Sequence, residues 1–559
     1  MHRHVQVLVR GLIVGLSAMI ILPSCEEAPV SRADLDKAER IIGIQFTDAE
    51  KDSMLFDIID NLESYAALRE VDIPNSVPPA FRFEPVPVGM EFDRTVHPPA
   101  YSPVSSVALP KNREELAFYS VRELSELIRT RRITSTELTR IYLDRLEKYG
   151  PQLECVVTLT EEIALEQAKR ADREIAAGKY RGPLHGIPYG AKDLLAVRGY
   201  KTTWGAMPYK DQIIDENATV IEKLEEAGAV LVAKLTLGAL AWGDVWFGGM
   251  TKNPWDLEQG SSGSSAGSAS ATAAGLVAFS IGTETWGSIV SPSTRCGVTG
   301  LRPTYGRVSR TGAMALSWTM DKIGPICRTV EDCAIVFDAI RGQDGIDQTL
   351  VDLPFNYDHR VDLKGARIGY LKELFDEEYP SREADLSTLD KLRRLGADLV
   401  PVTLPDYPVD ALAFVLSAEA AAAFDELTRS GRDDEMVRQI RAAWPNTFRS
   451  SRFISAVEYI QANRVRHMII QEMGSLDVDC YVAPSFGGNN LLLTNLTGHP
   501  CVVLPNGFDE GGHPVSISFI GRLYDEATLL AVAKAYQDAT DFHEQHPPLF
   551  IPGQEGEKQ

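Results

Sequence analysis

Residues 259–268 read Gln-Gly-Ser-Ser-Gly-Ser-Ser-Ala-Gly-Ser, and after the small-residue run Ala269–Ser280 the chain continues Gly282-Thr-Glu-Thr-Trp-Gly-Ser288. Gly and Ser at this density are also the composition of a flexible linker. A linker, however, is not followed at once by an unbroken apolar stretch, and the stretch predicts a buried helix over Ala269–Ser280. Two glycine-rich turns flanking a buried helix bring backbone amides and hydroxyls close together, because glycine permits tight turns and close backbone approach.

Outward from this stretch the pattern is one of helices alternating with short apolar strands. Upstream, Ser120 with Glu123 and Thr134 with Glu137 are spaced as capping boxes, each opening an amphipathic run, the second ending at Gly150. Val220–Glu226 reads as a helix feeding the apolar strand Ala229–Ala233. Downstream, Ala366–Tyr370, Val478–Ala483 and Val515–Ile520 read as strands, and Val409–Thr428 and Asp525–Thr540 as helices. The alternation predicts an α/β fold with a mixed, largely buried sheet surrounded by helices.

Three separated motifs then agree in order. Gly263-Ser-Ser-Ala-Gly-Ser268, Gly282-Thr-Glu-Thr-Trp-Gly-Ser-Ile289, Pro292 and Cys296-Gly-Val-Thr-Gly-Leu-Arg-Pro-Thr304 resemble the amidase signature family. Leu184-His-Gly-Ile-Pro-Tyr-Gly-Ala-Lys-Asp193 resembles that family's lysine motif, and Asn495-Leu-Thr-Gly-His-Pro500 its C-terminal segment. The resemblance runs from about Phe118 to about Asp541.

It implies a Ser–Ser–Lys triad. Ser288 occupies the nucleophile position, Ser264 the place of the family's serine preceded by a cis peptide, and Lys192 that of the base. A serine hydroxyl needs a neighbouring base to take its proton. Lysine serves only when neutral, so burial must pull its pKa below the usual ~10.4. Ser264 would relay the proton between Lys192 and Ser288 and return it to the leaving amine. The oxyanion needs preorganised N–H donors, and the turn Thr285-Trp286-Gly287-Ser288 is expected to point its successive backbone amides into that spot. Trp286 and Ala266 stand where the family usually has glycine. Ser265 and Ser268 are expected to cap local backbone and support the triad from behind, and His185 and His499 to be structural. The expected substrate is a small-molecule linear carboxamide, with no cofactor and no metal.

Other readings compete. Gly263-Ser-Ser-Ala-Gly267 also fits the G-x-S-x-G nucleophile elbow of α/β-hydrolases, with Ser265 as nucleophile. That motif needs a strand directly before it, and Asp256–Ser262 does not read as one. Some members of the resembled family are the glutamine-hydrolysing subunit of a tRNA-dependent amidotransferase, which is cytoplasmic work. A non-catalytic binding lipoprotein is the third alternative.

Composition sets the outer bounds. The 559 residues carry 56 Lys+Arg against 78 Asp+Glu, and a net charge of −22 argues against a protein that grips nucleic acid. Charged residues at 24 % and hydrophobic ones at 44 % exclude wholesale disorder. Residues 1–25 combine Arg3 and Arg10 with the apolar run Gly11–Leu22, the length of a signal-peptide core rather than the ~20 residues of a membrane span. The run ends in Leu-Pro-Ser-Cys25, which resembles a lipobox and predicts export and a lipid anchor at Cys25 on a membrane surface. The expected organisation is a signal peptide over 1–25, a helical and proline-rich extension over 26–115, a catalytic domain over 116–548 and a tail over 549–559. The other six cysteines form no CxxC pair and are expected to be buried free thiols.

Overall fold

A computed structural model describes residues 29–553, except 72, 80 and 105. The predicted leader, Cys25 and the last six residues lie outside the described residues. The chain divides into two compact units, 1–73 and 74–559.

The first unit is a helical hairpin. Arg32–Ile42 (α1) ends where Gly43 turns left-handed, and Asp48–Arg69 (α2) starts on a capping box, with the Thr47 amide donating to Glu50 at 2.6 Å. Lys51 ties α2 to α1 through Asp36 at 2.5 Å and Glu39 at 3.1 Å.

The second unit is a single large α/β domain, as expected. Its helices include Val121–Arg129 (α3), Ser135–Leu153 (α4), Glu161–Ala176 (α5), Thr219–Glu226 (α6), Ala266–Ala273 (α7) and Val290–Cys296 (α8). The strands are Val156–Leu159 (β1), Pro188–Lys192 (β2), Val230–Leu235 (β3), the short pair Val245–Trp246 (β4) and Gly249–Met250 (β5), the pair Lys252–Asn253 (β6) and Asp256–Gly260 (β7), then Phe279–Glu284 (β8), Thr299–Arg302 (β9), Lys322–Cys327 (β10), Arg367–Tyr370 (β11), Asp398–Pro401 (β12), Cys480–Pro484 (β13), Cys501–Phe508 (β14) and Pro514–Gly521 (β15). Eleven of them form one sheet in the order β1-β3-β2-β8-β10-β9-β14-β15-β13-β11-β12. It is mixed: β2 runs parallel to both β3 and β8, whereas β8–β10 and β14–β15 are antiparallel. Strands β2, β3 and β10 are buried along their whole length. That is why β3 reads as an apolar run rather than an alternating one.

The extended segment that opens this unit is pinned by polar contacts. Asn75 exchanges hydrogen bonds with the Ala315 backbone at 2.9 and 2.7 Å, and Phe92 packs edge-on against Tyr524.

Several local expectations shift. The helix expected over Ala269–Ser280 is α7, which begins at Ala266 and ends at Ala273. Gly275 at φ +64° breaks it, and Ser280 belongs to β8, where Phe279 and Ile281 are claimed by the sheet between β2 and β10. Helix α4 runs past Gly150 to Leu153, closed by Glu154, whose amide bonds back to the Gly150 carbonyl. Thr134 caps the Glu137 amide, but the Glu137 carboxylate faces Arg113 at 3.6 Å instead of completing the box. The helix expected over Val409–Thr428 breaks at Phe424 into shorter pieces. Residues 256–260, read as no strand, form β7, which pairs only with β6 in a half-exposed ribbon outside the main sheet. The six described cysteines are buried and unpaired, as expected.

Candidate active site

Lys192 is the last residue of β2, between β3 and β8, and its side chain is wholly buried. Its Nζ lies 2.9 Å from Ser264 Oγ, 3.0 Å from Ser265 Oγ and 2.9 Å from Thr283 Oγ1. Among the described residues no carboxylate forms an ion pair with it. Burial pushes the amine well below its ordinary value, and the more distant Asp321 and Glu284 only partly oppose this. The adjacent Asp193 does not pair with Lys192. It bonds Lys234 at 2.7 Å and the Thr203 amide at 2.9 Å.

The turn before α7 carries the two serines. The Gly263–Ser264 peptide is cis. A Cβ on Gly263 would fall 1.8 Å from the Gly243 carbonyl oxygen, so only glycine fits where the two backbones meet. Ser265 spends its hydroxyl on the end of β8: Oγ donates to Thr283 O at 3.0 Å and accepts the Thr283 amide at 3.1 Å. Its own amide donates to the Ser288 carbonyl at 3.1 Å, which joins the two glycine-rich turns. Ser268 lies one helical turn on and bonds Ile281 O at 3.1 Å, stapling α7 to β8.

Ser288 sits in the second turn, 8 % exposed. Among the described residues, none of the amides of Thr285, Trp286, Gly287 and Ser288 donates a hydrogen bond, whereas those of Ile289, Val290 and Ser291 are all engaged. Gly287 supplies the bend at φ +82°. Trp286 turns outward and is 43 % exposed.

A buried carboxylate, Glu284, and a partly buried one, Asp321, bracket this turn. Glu284 Oε2 accepts the amides of Ile289 at 2.8 Å and Val290 at 2.9 Å, while its Oε1 accepts from Arg302 at 2.7 Å and Asn495 at 2.8 Å. Burial alone would raise this carboxyl, but the guanidinium and the amides bring it down to about 2. On the other side, Asp321 accepts the Thr285 hydroxyl at 2.6 Å and the amides of Leu316 and Ser317.

The structure therefore brings Lys192, Ser264, Ser265 and Ser288 to one place on adjoining elements, with Ser268 behind them. His185 and His499 are engaged elsewhere, with Glu174 at 3.2 Å and Thr497 at 2.8 Å. No group of three or more His, Cys, Asp or Glu among the described residues is placed to hold a metal ion. Sequence reasoning missed Thr283, Glu284, Arg302 and Asp321. The one available signal was Glu284, an acid between apolar runs inside the motif itself.

The family model named Amidase matches residues 137–494. A glutamyl-tRNA(Gln) amidotransferase subunit from Carboxydothermus hydrogenoformans is 34% identical over 487 residues, covering 78% of this chain and all of that one. The solved peptide amidase of Stenotrophomonas maltophilia superposes with a TM-score of 0.67 at 29% identity, over 76% of this chain and 98% of that one. A bacterial aryl acylamidase of the amidase signature enzymes shares the fold, with a TM-score of 0.70 at 23% identity over 78% and 99% of the two chains. The chain belongs to the amidase signature family, a family of enzymes that act on amide C–N bonds.

Proposed function

We propose that this enzyme hydrolyses a linear carboxamide through an acyl-enzyme on Ser288. Neutral Lys192 takes the Ser264 proton as Ser264 takes that of Ser288, and Ser288 Oγ attacks the amide carbon. The oxyanion is met by uncommitted amides of the Thr285–Ser288 turn. On collapse the proton returns from Lys192 through Ser264 to the leaving nitrogen, and water then repeats the sequence on the ester.

The observation that carries this reading is a buried lysine without a carboxylate partner, 2.9 Å from Ser264 Oγ. The test is labelling by a serine-directed fluorophosphonate together with hydrolysis of aryl, fatty-acyl and peptide amides. Labelling and turnover lost in Ser288→Ala support it, and turnover undiminished in Lys192→Ala refutes it.

A second reading is favoured by the curated relatives, which match over their full length. In it the acyl donor is glutamine, and ammonia passes to a partner protein. Ammonia release from free glutamine far faster than from aryl or peptide amides would select it. Location separates the two readings as well. We place the enzyme outside the cytoplasm, lipid-anchored at Cys25, on the apolar run Gly11–Leu22. Radiolabelled fatty acid incorporated by the wild type and not by Cys25→Ala tests that placement.

A further inference from the structure

The Ser288 turn meets solvent through one side chain that the reaction leaves unused. From Ser264 to Thr294 every residue except Trp286 is buried or half-buried. The Trp286 indole is 43 % exposed, whereas Thr285 and Ser288 in the same turn are buried. A single exposed apolar residue is ordinary on a protein surface. This one differs in its position and in its lack of partners. Trp204 stacks on Tyr209 and Trp444 on Phe448, inside the core. Among the described residues the Trp286 ring meets no other ring and no cation, and its N–H donates no hydrogen bond.

The rim of the turn is apolar and carries no free charge. Glu284 is spent on Arg302, Asn495 and two backbone amides, and Asp321 on Thr285. A Cβ on Gly287 would lie 3.2 Å from Leu491 Cδ2, so Leu491 lines the bend with hydrocarbon. Trp286 precedes Ser288 by two residues, which keeps their Cα atoms within about 7 Å of each other. An indole spans that gap. In acylation the bond from Ser288 Oγ to the acyl carbon forms as the C–N bond breaks. The acyl group then stays on Ser288, while the amine leaves for solvent with the proton returned through Ser264. The solvent-facing residue of this turn therefore flanks the path of the departing amine.

We propose that Trp286 selects the amine half of the substrate by stacking on a planar aromatic group there, and that the preferred substrates are amides of uncharged aromatic or arylalkyl amines. The inference rests on the amide-hydrolase reading above. It adds which side of the amide is read and the residue that reads it. Two rings in offset or edge-on contact gain free energy beyond the area they bury.

The test uses three amides. N-benzylbutanamide and N-methylbutanamide differ only in the amine, and the N-methylamide of phenylacetic acid moves the ring to the acyl side. A variant that merely distorts the turn slows all three alike and leaves the ratios of their kcat/KM values unchanged. The benzyl-to-methyl ratio should fall about threefold or more in Trp286→Ala, within the range of one aromatic pair. It should fall less in Trp286→Phe, which keeps a ring. The phenylacetyl-to-butanoyl ratio should move less than the amine ratio. A benzyl-to-methyl ratio that falls by less than threefold in Trp286→Ala, or an acyl ratio that falls further, overturns the inference and leaves the amidase reading intact. So does Ser288-dependent turnover of other amides but of none of these. If no amide is turned over in a Ser288-dependent way, the amidase reading fails, and calorimetric binding of N-benzylbutanamide to Ser288→Ala judges Trp286 alone. Affinity at least threefold weaker after adding Trp286→Ala supports the stacking site, and a smaller change or no binding overturns it.

Discussion

Lys192 Nζ and Ser264 Oγ lie 2.9 Å apart, both side chains buried, and Lys192 also contacts Ser265 and Thr283 hydroxyls where a structural lysine would have a carboxylate. A lysine so placed is poised to act as a base, because among the described residues no carboxylate at hydrogen-bond distance holds it in its charged form.

The first prediction concerns pH. With the folded-state pKa of Lys192 lowered well below 10.5, kcat/KM should rise with pH on an acid limb well under 10.5 and then level off. The sign for stability follows from proton binding. Between the lowered value and 10.5 the unfolded chain binds more protons than the folded one, so burial of this amine costs less stability as pH rises through that window. The wild type should gain melting temperature relative to Lys192→Met between pH 7 and 10. Parallel melting curves for the two would contradict the burial of a titrating amine.

Removing each serine separates roles. Ser288→Ala should lose hydrolysis by about a thousandfold or more, the scale of nucleophile deletions. Ser264→Ala should cost a comparable factor by breaking the relay. Ser265→Ala removes two hydrogen bonds to Thr283 and should destabilise the fold by about 1–3 kcal/mol, with a smaller loss of turnover than Ser288→Ala. Steady-state kinetics with a denaturant series on the same proteins reads both. Activity lost in Ser265→Ala alone would instead select the nucleophile-elbow reading.

Glu284 holds the Ser288 turn from beneath. Glu284→Gln leaves Arg302 buried without its anion and should destabilise by about 3–5 kcal/mol. In the wild type this carboxyl falls to about 2 in the fold, below its usual 4.5, so its contribution is present above pH 4.5 and is lost as pH falls towards 2. That contribution is on the order of 3 kcal/mol. Acid titration of both proteins checks it: the wild type should lose stability over that range and the variant should lose less.

Backbone approach is testable at two glycines. Gly267→Ala would set a Cβ 2.5 Å from the Cys155 carbonyl oxygen and the Thr236 amide nitrogen, and should cost about 1–3 kcal/mol in thermal or denaturant unfolding. Gly263→Ala would meet the Gly243 carbonyl at 1.8 Å. It should displace Ser264 and reduce kcat further than the stability loss accounts for. Full kcat in Gly263→Ala would mean that the turn is not held by this contact.

The motifs named most of the site, and apolar runs named four strands of the main sheet (β3, β11, β13 and β15), because both signals are local. Glycine at tight turns, serine beside them and apolar runs on buried strands follow from what each segment must do by itself. Boundaries were less legible. Ala274–Ser280 is as apolar as the helix before it, and only its place between β2 and β10 makes a strand of its end. Residues 256–260 form a ribbon because β6 lies beside them, not because their composition favours a strand.

By itself the sequence determined that two glycine-rich turns and a Gly-Ala-Lys motif exist and which hydroxyls and amine they carry; that the motif closes a strand came from the fold. The tertiary structure alone decided that Lys192 keeps no carboxylate. Asp193, its neighbour in sequence, projects to Lys234 because successive side chains alternate where a strand ends. The fold also placed Glu284 and Asp321 on either side of the Ser288 turn. Those relations depend on distances between segments far apart in the chain, and only packing creates them.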